Sequence, residues 1–321
     1  MNKKNVVYLF PGQGAQYPGM AHDFLSSDAV KKLFDTASEI NGKDMKALLQ
    51  SEPDTLKRTD VSQPAITLAN LAAATYLGDQ GYSPVACAGF SLGEYAALVF
   101  CGVISAADCF KLIKARGEAM QKNSDHLREA CGGDASAAPG MAAVVGLAPE
   151  QVEELIAKWS AGGLKDLYAA NINSPKQLVV SGTAAALTEA ETRFKEAGAK
   201  RVIRLQVAGP FHSPLMSESA QAFAPVLESV KFNDPIVALF SNVTGKKVSS
   251  GEEAKKLALQ QITSPVRWVE EEASIAAMGA DACLEVGPGK VLQGLWRDSA
   301  TAGSIQCYLA GTVEDTGKIG N

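Results

Sequence analysis

Apolar positions along the chain fall in short unbroken runs separated by longer stretches with helical spacing. Val6–Phe10 (VVYLF) is apolar throughout and stops at Pro11 and Gly12, as expected of a strand covered on both faces. Residues 29–39 and 64–77 repeat apolar side chains at helical intervals. A second apolar run at 85–90 (VACAGF) leads through Ser91 into an Ala- and Leu-rich helix. Strands alternating with helices predict an α/β architecture with a mostly parallel sheet.

Residues 123–139 break this rhythm. They are polar and rich in Gly and Ala, without a period, and read as a loop or frayed linker. A different order then begins: strand 141–147, helix 149–160 with Pro149 at its start, strands 167–172 and 177–181 around Asn173, Ser174 and Pro175, helix 184–197 ended by Gly198, and strand 201–207. The order β-α-β-β-α-β predicts a small ferredoxin-like domain over 141–207. It is inserted into a large domain made of 1–140 and 208–311. The large domain resumes with a helix at 214–230 and strands at 237–241 and 283–286, and the polar tail 312–321 is expected to be loose.

Composition narrows the classes. Apolar residues are 46% and charged residues 20% of the 321, as in ordinary folded soluble proteins, and the formal net charge of -5 disfavours a nucleic-acid face. The six cysteines are dispersed without a CxxC pair, which points to a reducing compartment and no structural zinc. There is no signal-peptide pattern, and no apolar stretch reaches the roughly 20 residues of a membrane span. The expected location is the cytoplasm, or the interior of an organelle after processing, with no membrane contact.

Gly89-Phe90-Ser91-Leu92-Gly93 fits G-x-S-x-G, in which a serine sits on a sharp strand-to-helix turn, and it predicts an α/β-hydrolase-like large domain. Helix-terminal N–H groups favour negative charge beside Ser91, and the Leu92 N–H is a natural oxyanion donor. The bare pattern also arises by chance in Gly-rich chains. A serine nucleophile needs a base, and the chain has only His22, His126 and His212. The first two lie in polar surroundings. His212 lies in Gly209-Pro210-Phe211-His212-Ser213-Pro214, where Ser213 can cap the following helix and the helix N-terminus keeps the imidazole neutral. A turn histidine without a role is the alternative.

Ser105 to Asp108 resembles a capping box, and the helix it opens has an apolar stripe at Cys109, Leu112, Ile113 and Met120. Arg116 falls on that stripe, and a buried guanidinium demands an anion. Two readings stand open: an internal salt bridge, or a bidentate grip on a substrate carboxylate. Pro11-Gly12-Gln13-Gly14-Ala15-Gln16 lacks the third glycine of a dinucleotide loop, since position 17 is Tyr, and reads instead as a ligand loop at a strand's carboxyl end with the Gln13 N–H as a second oxyanion donor. Gly287-Pro288-Gly289-Lys290 reads as a structural turn.

Together these segments resemble the malonyl-CoA:acyl carrier protein transacylase family and the related acyltransferase domains of polyketide and fatty acid synthases. The motifs run in order over about 6–311: LFPGQGAQ, GFSLGEYAAL, KARGEAMQ, ANINSPKQLVVSG, GPFHSPLM, QQITSPVRW and EVGPGKVL. The resemblance implies Ser91 as nucleophile, His212 as general base, the Gln13 and Leu92 N–H groups as oxyanion hole, and Arg116 on the malonyl carboxylate. It places Gln261 beside the site, its carbonyl orienting His212 in place of a triad acid, and Asn171 facing the cleft from the small domain. Phe211 resembles the marker of malonyl-selective members.

The sequence departs from the family at Phe90, where GHSxGE is usual, and in the 123–139 linker, which is longer than usual. The implied reaction moves malonyl from malonyl-CoA to the phosphopantetheine thiol of acyl carrier protein in fatty acid synthesis, by a monomer without cofactor or metal. The carrier protein is acidic in this family, so Lys195, Lys200, Arg201 and Arg204 are candidates for its landing surface, or simply a solvated face. The rivals are a trans-acting polyketide acyltransferase, a serine esterase or thioesterase, and a non-catalytic carrier-protein-binding module.

Overall fold

Strand β1 (Val6–Phe10) has every side chain buried, and neighbours on both edges explain its lack of alternation. The computed structural model describes residues 3–299, 303 and 305–320. In it β1 pairs in parallel with β2 (Pro84–Gly89) on one edge and with Ala282–Glu285 on the other. Numbered along the chain, the strands between are β3 (Gly140–Val145), β4 (Leu167–Ser174), β5 (Gln177–Gly182), β6 (Arg201–Arg204) and β7 (Ala238–Leu239), so Ala282–Glu285 is β8, and β9 is Gln306–Leu309. The first sheet is parallel throughout, in the order β7-β2-β1-β8-β9. The second is antiparallel, in the order β4-β5-β3-β6.

The α/β class expected from the sequence is therefore present, with a parallel and an antiparallel sheet. The antiparallel sheet has helices Pro149–Ala161 and Ala184–Glu196 packed against it around Val144, Val152, Leu178, Val180, Leu187 and Phe194. Its other face contributes Met141, Ala143, Ala170 and Val179 to the main core. The backbone also joins the two sheets: Ile172 N–H donates to Val266 O at 2.8 Å, and Val266 N–H to Ala170 O at 2.8 Å.

Three expectations need correction. The linker predicted at 123–139 is helical in its first half, because the helix Ala106–Ala130 continues into it and ends at Ala130. Its polar composition misled: Asn123 and Ser124 are buried, with Asn123 Nδ2 donating to Leu215 O in the turn Pro214–Met216 and Ser124 Oγ to Met120 O. The tail expected to be loose carries a helical turn at Val313–Thr316, tied down by Val313 N–H donating to Asp23 Oδ2 at 2.6 Å, though Asn321 lies outside the described residues. Ser213 does not cap the helix that follows it; its hydroxyl donates to Pro210 O.

No helix among the described residues is long and apolar enough to cross a membrane. All six cysteines are free, and all but Cys131 are buried.

Candidate active site

β1 and β2 end side by side, and their outgoing loops meet. A side chain at Gly89 would run into the Gly93 backbone, and one at Gly93 into the Phe10 carbonyl, so the two glycines of the G-x-S-x-G segment allow the turn to fold against β1. Between them Ser91 adopts φ +51°, a left-handed conformation costly for a residue with a Cβ. The short 3₁₀ turn Ser91–Gly93 and the helix Glu94–Phe100 follow.

His212 reaches the same point from the loop after β6, itself at φ +57°. Its Nε2 lies 2.7 Å from Ser91 Oγ. Its Nδ1 lies 2.9 Å from Gln261 O and 3.2 Å from Ser264 O. Both partners of Nδ1 are carbonyl oxygens and can only accept, so Nδ1 carries the proton and Nε2 accepts from the serine hydroxyl. Burial above all, and then the Arg116 charge, push the imidazole down from 6.5 to about 4, against the pull of the two carbonyls. Near neutrality it is an unprotonated base.

Arg116 is 1% exposed. Its Nη1 donates to Gln63 Oε1 at 2.8 Å and its Nη2 to Gln261 Oε1 at 3.1 Å, while the Tyr95 ring centre lies 5.5 Å from its guanidinium carbon. Among the described residues no carboxylate forms a salt bridge with it, and its Nε has no hydrogen-bond partner. The internal salt bridge left open by the sequence is thus not what holds Arg116; two neutral amide oxygens do.

Ser91, His212 and Arg116 line one cavity of about 210 Å³, together with Gln13, Leu92, Asn171 and Phe211. Asn171 comes from β4, so both sheets contribute to its wall. Phe90 also lines it and meets Trp268 edge to face at 5.4 Å. His126 is exposed and pairs with Glu218, and His22 bonds backbone oxygens of Met20 and Lys46. The Gly287 turn, which does not line the cavity, packs against Pro11 and Asn70.

The profile of a family described as the acyl transferase domain matches residues 7–318. The malonyl CoA-acyl carrier protein transacylase of Bacillus subtilis is 36% identical over 292 residues, covering 90% of this chain and 89% of that protein. The chain belongs to the malonyl-CoA:acyl carrier protein transacylase family. The crystal structure of the transacylase from Clostridium perfringens superposes with a TM-score of 0.88 at 34% identity, covering 98% of this chain and 95% of that one. A malonyl-transacylase solved in complex with a type II polyketide acyl-carrier protein superposes at 0.87 with 32% identity, covering 97% of each chain.

Around the Ser91–His212 pair lies a polar network that sequence reasoning missed. Asn242 Oδ1 accepts from Ser91 N–H at 2.7 Å and from Gln261 Nε2 at 3.1 Å. Its Nδ2 donates to Gly89 O at 2.7 Å and Glu271 Oε1 at 2.6 Å, and its backbone N–H to Glu94 Oε2 at 2.8 Å. Gln261 Nε2 also donates to Ser91 O and Glu94 Oε2, both at 3.0 Å. Burial raises Glu94 to about 7, against the hydrogen bonds from Asn242 and Gln261 and the Arg116 charge. Asn242 stands in Ser241-Asn242-Val243-Thr244-Gly245, a turn-like segment whose only signal was polarity beside a short strand.

Proposed function

We propose that this enzyme transfers malonyl from malonyl-CoA to acyl carrier protein in fatty acid synthesis, through an ester on Ser91. The observation that carries the reading is Arg116, a buried cation bonded to neutral amides, in the same cavity as a hydrogen-bonded Ser91–His212 pair. A neutral ester gives such a group no partner; an acyl chain ending in a carboxylate does.

His212 Nε2 takes the Ser91 proton as Oγ attacks the thioester carbonyl. The Gln13 and Leu92 N–H groups stabilise the tetrahedral oxyanion. The C–S bond breaks, the proton passes from His212 to the departing CoA thiolate, and malonyl-Ser91 remains. The carrier protein's phosphopantetheine thiol then gives its proton to His212, attacks the ester, and Ser91 leaves reprotonated. The Gln261 and Ser264 carbonyls orient the ring and share the positive charge it gains. The chain's own groups thus serve each step without a cofactor.

Asn171 closes the cleft from the antiparallel sheet. That sheet's β-α-β-β-α-β order and strand arrangement support a ferredoxin-like lobe set into a hydrolase-like one, with the divisions near 140 and 208. The bulk of Phe211 crowds an α-methyl group and so favours malonyl over methylmalonyl. The enzyme acts as a monomer, and Lys200, just before β6, with Arg201, the first residue of β6, offers the acidic carrier protein a basic edge.

The test mixes the protein with malonyl-CoA and holo-carrier protein, with methylmalonyl-CoA as competitor. Malonyl-carrier protein and free CoA in equal amounts, with malonyl preferred, are expected. Free malonate as the main product would instead indicate an esterase, and equal specificity constants would remove the role given to Phe211.

A further inference from the structure

The side-chain amide of Gln261, a fully buried residue, faces two charged groups at once. Its Oε1 accepts from Arg116 Nη2 at 3.1 Å, and its Nε2 donates to Glu94 Oε2 at 3.0 Å. A buried guanidinium and a buried carboxyl group are thus joined through one amide without touching. Glu94 is 4% exposed and opens the helix Glu94–Phe100; its Oε2 also accepts from the Asn242 N–H at 2.8 Å. No catalytic step described above uses this carboxyl group. A guanidinium only donates, so the amide oxygen must face Arg116 and the NH2 group is left to face Glu94. Burial disfavours charge on both groups, and the charge of each favours the ionised form of the other.

The titratable groups packed around Glu94 do not change charge near neutrality. Glu271, on the helix Trp268–Ala276, is raised well above the carboxylate range by burial and then by the Glu94 charge, so it keeps its proton. Burial pushes up the phenols of Tyr8 and Tyr95 and the thiols of Cys87 and Cys109, and all four stay neutral. His212, lowered to about 4 chiefly by burial, is neutral as well. Glu94 itself is raised to about 7 by burial, against the Asn242 and Gln261 hydrogen bonds and the Arg116 charge.

We infer that Glu94 is a positioning residue that balances Arg116 through Gln261 until substrate binds, and that takes up a proton when the malonyl carboxylate occupies Arg116. The inference rests on the malonyl reading above. Two carboxylates around one buried guanidinium leave a negative charge unpaired, which burial penalises. The proton comes from solvent. Oε2 already accepts from two N–H groups, so the proton goes to Oε1 and the bond to Gln261 is kept. An acetyl group brings no second anion and calls for no proton. Below the Glu94 midpoint the proton is already in place and malonyl binds at full advantage. Above it, each malonyl group bound must draw a proton, so its advantage over acetyl falls as pH rises.

The experiment is titration calorimetry of the Ser91→Ala enzyme, which binds thioesters without forming the ester. Malonyl-CoA and acetyl-CoA are compared at about pH 8 in buffers of different ionisation heat, which counts the protons taken up. The CoA phosphates are common to both ligands and cancel. Malonyl-CoA is expected to take up an excess approaching about one proton per molecule bound. The excess should vanish in Ser91→Ala/Glu94→Gln, whose amide oxygen still serves both donors but takes no proton. In the enzyme with Ser91 intact, the malonyl-over-acetyl preference in kcat/KM should fall by up to about tenfold per pH unit above the Glu94 midpoint, and Glu94→Gln should flatten that slope.

Equal proton uptake with the two thioesters overturns the proposal, whatever the Glu94 variant does. So does an excess that survives in Glu94→Gln, which would put the proton on another group. Malonyl-CoA bound no better than acetyl-CoA at any pH would instead count against the Arg116 contact, and with it the malonyl reading itself.

Discussion

Arg116 is a buried cation in the wall of the catalytic cavity. A guanidinium on an apolar helical stripe announced a buried charge, but the stripe could not say what answered it. The amide oxygens of Gln63 and Gln261 hold the group in place without neutralising it. Arg116→Ala should therefore cut malonyl transfer while sparing or raising acetyl transfer. Removing one partner of a buried charge pair costs about 2–5 kcal/mol, or roughly 30-fold and upward in kcat/KM. Steady-state rates with malonyl-CoA and acetyl-CoA check this, and undiminished malonyl turnover would remove the carboxylate contact.

His212 carries a second prediction at this scale. It works as a base only when neutral, and burial with the Arg116 charge lowers it to about 4. As pH falls, acylation should persist through the ordinary histidine range near 6.5 and decline only toward about 4. Arg116→Ala removes one of the downward pushes, so the acid limb should move to higher pH. The profile is best read in Glu94→Gln, because burial brings Glu94 itself to about 7 and it touches Gln261. An acid limb near 6.5 in that background would contradict the assignment.

Among the elements, the nucleophile's turn was the most legible part of the chain. Its glycines are needed at close backbone approaches, and its strand and helix announced themselves by hydrophobic period. Asn242 was not legible, because its importance comes from partners 151 and 153 residues away in sequence, the Ser91 N–H and the Gly89 carbonyl. It braces the left-handed Ser91 at the N–H, as Gln261 does at the carbonyl. Asn242→Ala leaves the Ser91 N–H and Glu271 without that partner, each at a cost of about 1–3 kcal/mol. We expect kcat to fall far more than KM changes, with a lower melting temperature. Asn242→Asp should not restore activity, because it sets a third carboxylate beside Glu94 and Glu271. Wild-type kcat in either variant would deny Asn242 this role. The helix over 123–130 was likewise hidden: period analysis reads a polar run as loop, whereas tertiary packing buries Asn123 and Ser124.

In the whole molecule, the cavity exists because a parallel and an antiparallel sheet close on one another. The backbone bonds between β4 and Val266 keep Asn171 over the elbow, while Ser181 Oγ donates to Phe211 O at 2.5 Å and ties β5 to the histidine's loop. The alternation of elements foretold both sheets, but not that β9 would extend the first or that the Val313–Thr316 turn would be pinned to Asp23. The direct measurement is mass spectrometry of the enzyme after brief exposure to malonyl-CoA alone. A base-labile malonyl group on the peptide containing Ser91, discharged by holo-carrier protein and absent from Ser91→Ala, is the predicted result. An unmodified Ser91 during full turnover, or malonyl found on another residue, would contradict it.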